Sequence, residues 1–316
     1  MPVGKITQRI SGRAWAQLFR LPNLFTVPGE PLAGFVLAHS GPLTAWGQVG
    51  WALTASLAFY MAGLAWNDYY DYAEDLRVRP DRPLPRGDLT PRAVRTAAGV
   101  LAVLGWLACI PLGTIGLGIG TVLLLAVFCY NRMGKAHAGL GITLLGMCRG
   151  LSLLLGVAAA GEPQAWTHKP VGVALLVTAA YIIAVSRLAR REMEVHRPKA
   201  DRWAPLFVWS VGALLFAPLL ARHHWEPPVG FLALILIGSV TAWRGAQALR
   251  PFARHRLPGI THVLPPWIGR LIAASLFWHA AVIMGSGNDP LRWIIAFTLG
   301  ACWLLNRWTA RFFYAS

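Results

Sequence analysis

The chain has 316 residues, 56% hydrophobic and only 13% charged, with a mean hydropathy of +0.50. Ordinary globular chains carry about 25% charged residues, and a chain this apolar lacks the polar shell that a soluble core needs; the same numbers exclude a disordered chain, a coiled coil and a secreted disulfide scaffold. The net charge of +16 suits either a nucleic-acid binder or the basic loops of a membrane protein, and its distribution along the chain decides between them.

Ten apolar segments approach the ~20 residues that a helix needs to cross hydrocarbon. They are 18–39, 46–66, 92–112, 114–131, 139–160, 170–186, 203–221, 228–249, 266–285 and 290–306. The first contains Pro22, Pro28, Glu30 and Pro31 and no small-residue cleavage site, so it reads as a retained helix rather than a signal peptide. With the N-terminal side called inner, 24 of the 29 Lys and Arg fall in inner loops and span ends. Lys169, Arg222 and Arg292 are outer, and Arg149 and Arg270 lie within spans. The positive-inside rule places both termini in the cytoplasm, which requires an even number of crossings. It also accounts for the net charge without nucleic acid. The two long loops, 67–91 and 187–202, are both inner, so chemistry is expected at the cytoplasmic face. Cys109, Cys129, Cys148 and Cys302 sit inside apolar runs with no disulfide or zinc spacing.

The second segment ends in an acidic cluster: Asn67-Asp68-Tyr69-Tyr70-Asp71-Tyr72-Ala73-Glu74-Asp75. On a helix Asp71 lies about 60° from Asp68 and Asp75 about 20° from it, so the three carboxylates share a face, flanked by Asn67. Like charges at this spacing repel. Hard oxygen ligands beside an amide suit Mg²⁺, which shares its coordination sphere with substrate phosphates. The competing reading is a solvated acidic helix end balanced by Arg77 and Arg79. The cluster adjoins an apolar span without a polar spacer, where acids are costly unless they serve a function.

Asn67-Asp68-x-x-Asp71-x-x-x-Asp75 followed by Arg82-Pro83-Leu84-Pro85-Arg86-Gly87 resembles the first signature of the UbiA superfamily of intramembrane prenyltransferases. Tyr130-Asn131-Arg132-Met133-Gly134-Lys135 and Gly146-Met147-Cys148-Arg149-Gly150 extend the resemblance to about residue 202. It implies an all-α polytopic membrane bundle of nine to ten transmembrane helices around a central cavity, capped on the cytoplasmic side. One domain is expected over 1–316, with the motifs in 1–202 and the bundle completed by 203–316. The family implies Mg²⁺ bridging the aspartates to a prenyl diphosphate, a lipophilic and often aromatic acceptor, and a multi-pass location, here expected in a bacterial inner membrane. Carried over by position, Asp68, Asp71, Asp75 and Lys135 are the candidate catalytic residues. Arg82 and Tyr130 are candidates for substrate binding, and so is Asn23.

The family's second Asp-rich motif is missing. Its place reads Ser186-Arg187-Leu188-Ala189-Arg190-Arg191-Glu192-Met193-Glu194. Two readings stay open: Glu192 or Glu194 holds a metal from a loop, or Arg187 and Arg190 bind the diphosphate directly, as bidentate Arg–phosphate pairing allows. This altered motif and the run 20–26 resemble the EboC-type branch of the superfamily. Glu30, an acid within the first span that faces a cavity or pairs with Arg149, is with Arg149 a further candidate for substrate binding. The leading function is Mg²⁺-dependent prenyl transfer. The alternatives are a transferase using another diphosphate, such as phosphoribosyl diphosphate, and a non-catalytic lipid-binding or transport protein.

The charge asymmetry generates a topological prediction. Reporter fusions at the C-terminus are expected to report a cytoplasmic location; activity confined to the exterior would remove the even number of crossings.

Overall fold

The computed structural model describes residues 12–39, 43, 46–134, 137–190, 201–221, 229–250, 260–287 and 289–313, and every regular element among them is helical. Two short helices, α1 (Gly12–Leu18) and α2 (Leu21–Leu24), lead into α3 (Gly29–Ala38). The long α4 (Trp46–Tyr70) is followed by the short α5 (Tyr72–Val78). Then come α6 (Pro91–Leu107), α7 (Gly113–Cys129), α8 (Ala138–Ala160) and α9 (Lys169–Arg190). The last four are α10 (Ala204–Ala221), α11 (Val229–Ala248), α12 (Ile260–Gly285) and α13 (Pro290–Thr309).

Among the described residues, seven stretches are long and apolar enough to cross a membrane. One of them, Pro91–Gly134, contains both α6 and α7, joined by a single 3-10 turn at Ile110–Leu112. The protein is an integral, multi-pass membrane protein. Its lipid-facing side chains remain uncovered, among them Leu214 (72% exposed) and Phe297 (70%). Surfaces of this kind aggregate in water and need a bilayer around them.

The expected first span, 18–39, is not one helix. Arg20 has a left-handed backbone (φ 47), and the chain passes through α2 and a turn before α3 begins. Pro22, Pro28 and Pro31 each lack an N–H, which weakens a continuous ladder. Non-helical backbone at membrane depth survives when protein groups satisfy it. Thr26 Oγ1 donates to the Asn23 carbonyl at 2.7 Å, and Asn306 Nδ2 of α13 donates to the Pro22 carbonyl at 2.7 Å. The C-terminal helix thereby closes onto the broken first segment. At its other end, Asp289 accepts from the Leu291 and Arg292 amides at 3.1 and 3.2 Å and pairs with the Arg292 guanidinium. The four cysteines are free.

Close approach of α3 to α8 sets the positions of the polar groups both helices carry. Gly34 lies against the Leu153 carbonyl, and Gly156 against the Pro31 carbonyl; a Cβ at either would collide with backbone. Phe35, Leu153 and Leu155 are fully buried beside this contact. α4 has two distinct faces. Ser56 hydrogen-bonds Ser152 of α8 at 2.9 Å on the inner face. Trp51, Thr54, Ala58 and Met61 line an apolar groove of about 660 Å³ shared with α6.

Replacing Gly156 with Leu is expected to lower the unfolding midpoint in detergent, since overpacking costs about 1–3 kcal/mol. Gly99, on α6, has nothing within 4 Å of a Cβ position, so Gly99→Ala is expected to leave the midpoint unchanged or slightly raised.

Candidate active site

The acidic cluster sits where α4 gives way to α5. Asp71 marks the junction, and the bonds Asp71 N–H to Asn67 O (3.0 Å) and Asp75 N–H to Asp71 O (2.8 Å) carry the helical path across it. Asp68 and Asp75 are 5% and 4% exposed. The loop after α5 brings Arg82 between them: its Nη1 lies 2.7 Å from Asp75 Oδ2 and 3.5 Å from Asp68 Oδ1. Asn67 Nδ2 donates to Asp71 Oδ2 at 3.2 Å, and Arg79 approaches Asp75 at 4.0 Å. Asp68 Oδ1 accepts no hydrogen bond.

The loop has local reasons for its shape. Leu84 is buried with Ala14, Leu18 and Val94 in a small core beneath it. Gly87 adopts φ 83, a conformation that Gly enters without strain. Thr90 caps α6 by accepting from the Ala93 amide at 3.1 Å. Arg86 is directed away from the aspartates: it pairs with Asp88 and donates to Gln17 Oε1 at 3.1 Å.

Three further elements reach the cluster. Arg20, in its left-handed backbone, lies within electrostatic range of Asp68, Tyr60 and Tyr130. Tyr130 opens a π-helical turn (Tyr130–Gly134) at the end of α7 and lies within electrostatic range of Asp71, Arg20 and Arg190. π-turns of this sort concentrate at functional sites. Arg187 and Arg190 have different surroundings: Arg190 lies by Gly141 and near Tyr130, whereas Arg187 is half-exposed and its Nε pairs with Asp201 Oδ1 at 3.1 Å. Lys135, Glu192 and Glu194 lie outside the described residues.

Among the described residues, no three His, Cys, Asp or Glu side chains converge as a ready-made metal cage. The donor set still fits Mg²⁺. It offers hard carboxylate oxygens, one of them an orphaned Asp68 atom, and Mg²⁺ characteristically takes one or two carboxylates and completes its sphere with phosphate oxygens and water.

The sequence matches the model of the UbiA prenyltransferase family over residues 31–258. The chain belongs to the UbiA prenyltransferase family. A digeranylgeranylglyceryl phosphate synthase from Haloquadratum walsbyi is 32% identical over 140 residues, 42% of this chain and 49% of the relative. One from Natronomonas pharaonis is 30% identical over 149 residues, 47% of this chain and 53% of the relative. The chain thus spans about half the length of these curated relatives. A solved UbiA homologue from Aeropyrum pernix K1 shares the fold, with a TM-score of 0.63 over 83% of this chain and 97% of its own at 15% identity.

Deeper in the UbiA bundle a second polar group is buried. Arg149 Nη2 of α8 lies 2.9 Å from Glu30 Oε1 of α3 and donates to Thr26 Oγ1 at 3.0 Å. Its guanidinium stands 5.9 Å from the Tyr60 ring, and Asn23 hydrogen-bonds the Tyr60 hydroxyl. Arg20, Tyr60 and His279 are the residues at these sites that sequence reasoning passed over. Tyr60 had a signal: it lies seven residues before Asn67, within about 20° on a helix. Arg20 read as a topological charge, and His279 is far away in sequence.

Arg20→Gly is expected to fold at least as well as the native chain, because Gly accepts φ 47 freely. It removes a cation facing Asp68, so binding of a labelled prenyl diphosphate is expected to weaken by about tenfold, or ~1.4 kcal/mol. Unchanged binding would place Arg20 outside the donor site.

Proposed function

We propose that the protein transfers a prenyl group from a prenyl diphosphate to a lipophilic acceptor within the membrane, as one domain spanning 1–316. The observation that carries this reading is the acid cluster at the membrane rim, in family register, with buried Asp68 and Asp75 met by Arg82. Names such as digeranylgeranylglyceryl phosphate synthase among the relatives favour a prenyl donor and a lipid acceptor.

Asp68, Asp71 and Asp75, with Asn67 beside them, would hold Mg²⁺ against the diphosphate. Bound there, Mg²⁺ supplies Lewis-acid stabilisation of the departing diphosphate. The chain's own cations act on the same charge. When the allylic C1–O bond breaks, its electron pair leaves with the diphosphate, and Arg20, Arg82 and Arg190 face the region where that negative charge grows. Fixed charges aimed at a developing anion need little reorganisation at the moment of reaction. Tyr130 and Lys135 complete the polar rim by family position. The apolar walls exclude water, which would otherwise capture the cationic carbon.

The absent second Asp-rich motif makes direct Arg contacts part of this reading. Arg190, within electrostatic range of Tyr130, is the arginine this reading favours, and Arg187 has Asp201 as its partner. Glu192 and Glu194 remain candidate ligands from the following segment. The charge distribution supports a cytoplasmic active site, and a bacterial inner membrane is the location this reading expects.

The test is incubation of purified protein with labelled prenyl diphosphates, Mg²⁺ and a membrane lipid extract. A mass-shifted lipid is expected, chelation should abolish it, and restored Mg²⁺ should recover it. Asp71→Asn is expected to lower turnover by about a hundredfold or more, since metal-assisted charge stabilisation is worth several kcal/mol. Near-native turnover in that variant would remove the aspartate site.

A further inference from the structure

Three arginines collect at one end of the last helix pair. The rings of Phe277 on α12 and Trp303 on α13 meet at 5.2 Å and set the register of the pair. From that contact Arg270 lies seven residues back along α12, and Arg307 and Arg311 lie four and eight residues onward, within and just past α13. The helices run antiparallel, so these steps of about 10, 6 and 12 Å lead to the same end. Arg307 accordingly lies within electrostatic range of both Arg270 and Arg311. Among the described residues none of the three has an ion pair. The sequence offers them little: from residue 227 onward Asp289 is the only Asp or Glu, and it caps the opposite end of α13.

This end belongs to the rim that carries the acid cluster. Asn306 of α13 holds the Pro22 carbonyl, two residues from Arg20, whose charge is within range of Asp68. Arg307 and Arg311 nevertheless point to the bilayer. Asn306 and Thr309 form the buried face of α13, and the two exposed arginines lie about 130° and 170° round the helix from it. Leu304 and Trp308 beside them are uncovered apolar side chains. Arg270 is half-buried, about 6 Å inside the apolar stretch Pro266–Gly285. Its guanidinium stands 4.5 Å from the Trp267 ring, and that of Arg307 stands 5.9 Å from Trp303. Tryptophans concentrate at the headgroup level of a membrane. The helix dipole favours cations in a last turn, which covers Arg307 and leaves Arg270, in the first half of α12, without that compensation. Like charges gathered on a tryptophan-lined face need a counter-ion.

We propose that Arg270, Arg307 and Arg311 form a binding site for the phosphate of an anionic phospholipid, in the leaflet on the acid-cluster side. Guanidinium forks pair phosphate oxygens bidentately, and basic pockets between membrane helices seat anionic headgroups. The acyl chains have a path along Leu304 and past Gly300, where nothing lies within 4 Å of a Cβ position. A zwitterionic lipid carries an ammonium beside its phosphate and returns a cation to the three arginines. Free phosphate shares the forks and gains nothing from the apolar surface below them. A lipid seated here clamps α12 to α13, and α13 closes the broken first segment through Asn306, so its binding stabilises the whole fold. The site is independent of the diphosphate cluster and of the transferase reading.

The experiment titrates the full chain, purified and delipidated in detergent, with three probes: dioleoylphosphatidylglycerol, dioleoylphosphatidylcholine and inorganic phosphate. Native mass spectrometry counts retained lipid, and the unfolding midpoint reports stabilisation. Phosphatidylglycerol is expected to stay bound and raise the midpoint, and the other two probes are not. Arg307→Gln/Arg311→Gln, at two exposed positions, is expected to weaken phosphatidylglycerol binding by about tenfold or more. Arg270→Gln is expected to weaken it from the neighbouring helix, so misfolding of one variant leaves the other as the test. Arg92→Gln/Arg95→Gln on α6 removes two exposed arginines from the same side of the membrane and is expected to leave binding within about twofold. Equal retention of phosphatidylcholine, binding that survives in the Arg270 and Arg307/Arg311 variants, or an equal loss in the α6 control would overturn the site and leave the three arginines as topological charges. No retention by the native chain overturns it as well. A midpoint that rises equally with inorganic phosphate would make it a phosphate site and remove the lipid.

Discussion

Inside hydrocarbon no water is available to complete a hydrogen bond, so each polar group must find its partner within the chain. Most of this protein meets that condition with uninterrupted helices. The first segment does not. Its backbone turns at Arg20, forms one short helix and restarts at Gly29, which exposes carbonyls that a continuous helix would have consumed. Thr26 takes the Asn23 carbonyl and Asn306 the Pro22 carbonyl. The second bond reaches 284 residues along the chain, so the last helix is a structural requirement of the first.

The same break is what allows charge into the bundle. A regular helix would carry Arg20 and Glu30 on a path set by its pitch alone. The left-handed turn at Arg20 instead leaves its charge within electrostatic range of Asp68 and Tyr60, while Glu30 enters the first turn of α3 against Arg149. Two Gly–carbonyl contacts, Gly34 with Leu153 and Gly156 with Pro31, hold α3 against α8 closely enough for that pair to form. Small residues at such positions let backbones approach in the absence of a hydrophobic driving force between helices. Packing and electrostatics are therefore one arrangement here: widening the α3–α8 contact separates the charges.

At the rim, the acid cluster illustrates how like charges are kept together. Asp68 and Asp75 repel, and a single guanidinium from the Arg82 loop lies between them. That loop is itself anchored by Leu84 and turned by Gly87. Arg20 adds a further positive charge within electrostatic range of Asp68, and Arg190 lies within range of Tyr130. Where the second acidic motif is absent the chain carries Arg187 and Arg190, and arginine is the residue whose planar fork suits phosphate oxygens.

Much of this was legible in the residues alone, for identifiable reasons. Hydropathy and the sidedness of Lys and Arg are properties of composition along a line, so the multi-pass helical character could be read directly. The aspartates are local too: their spacing of three and four residues defines a helix face whatever the rest of the chain does. Glu30 and Arg149 were recognisable as candidates because an ionisable residue in an apolar run is conspicuous. The tertiary structure alone decided the break of the first span, since prolines are tolerated in membrane helices when neighbours supply partners, and whether Asn306 does so depends on a fold. It alone decided that Arg187 turns to Asp201 and Arg190 toward Tyr130, because long side chains three residues apart choose different partners according to what surrounds them. And it alone brought His279 to Glu30 and Thr178 to His279: residues on helices far apart in sequence become neighbours only once packing has set the helices side by side, and no period in the chain encodes that distance.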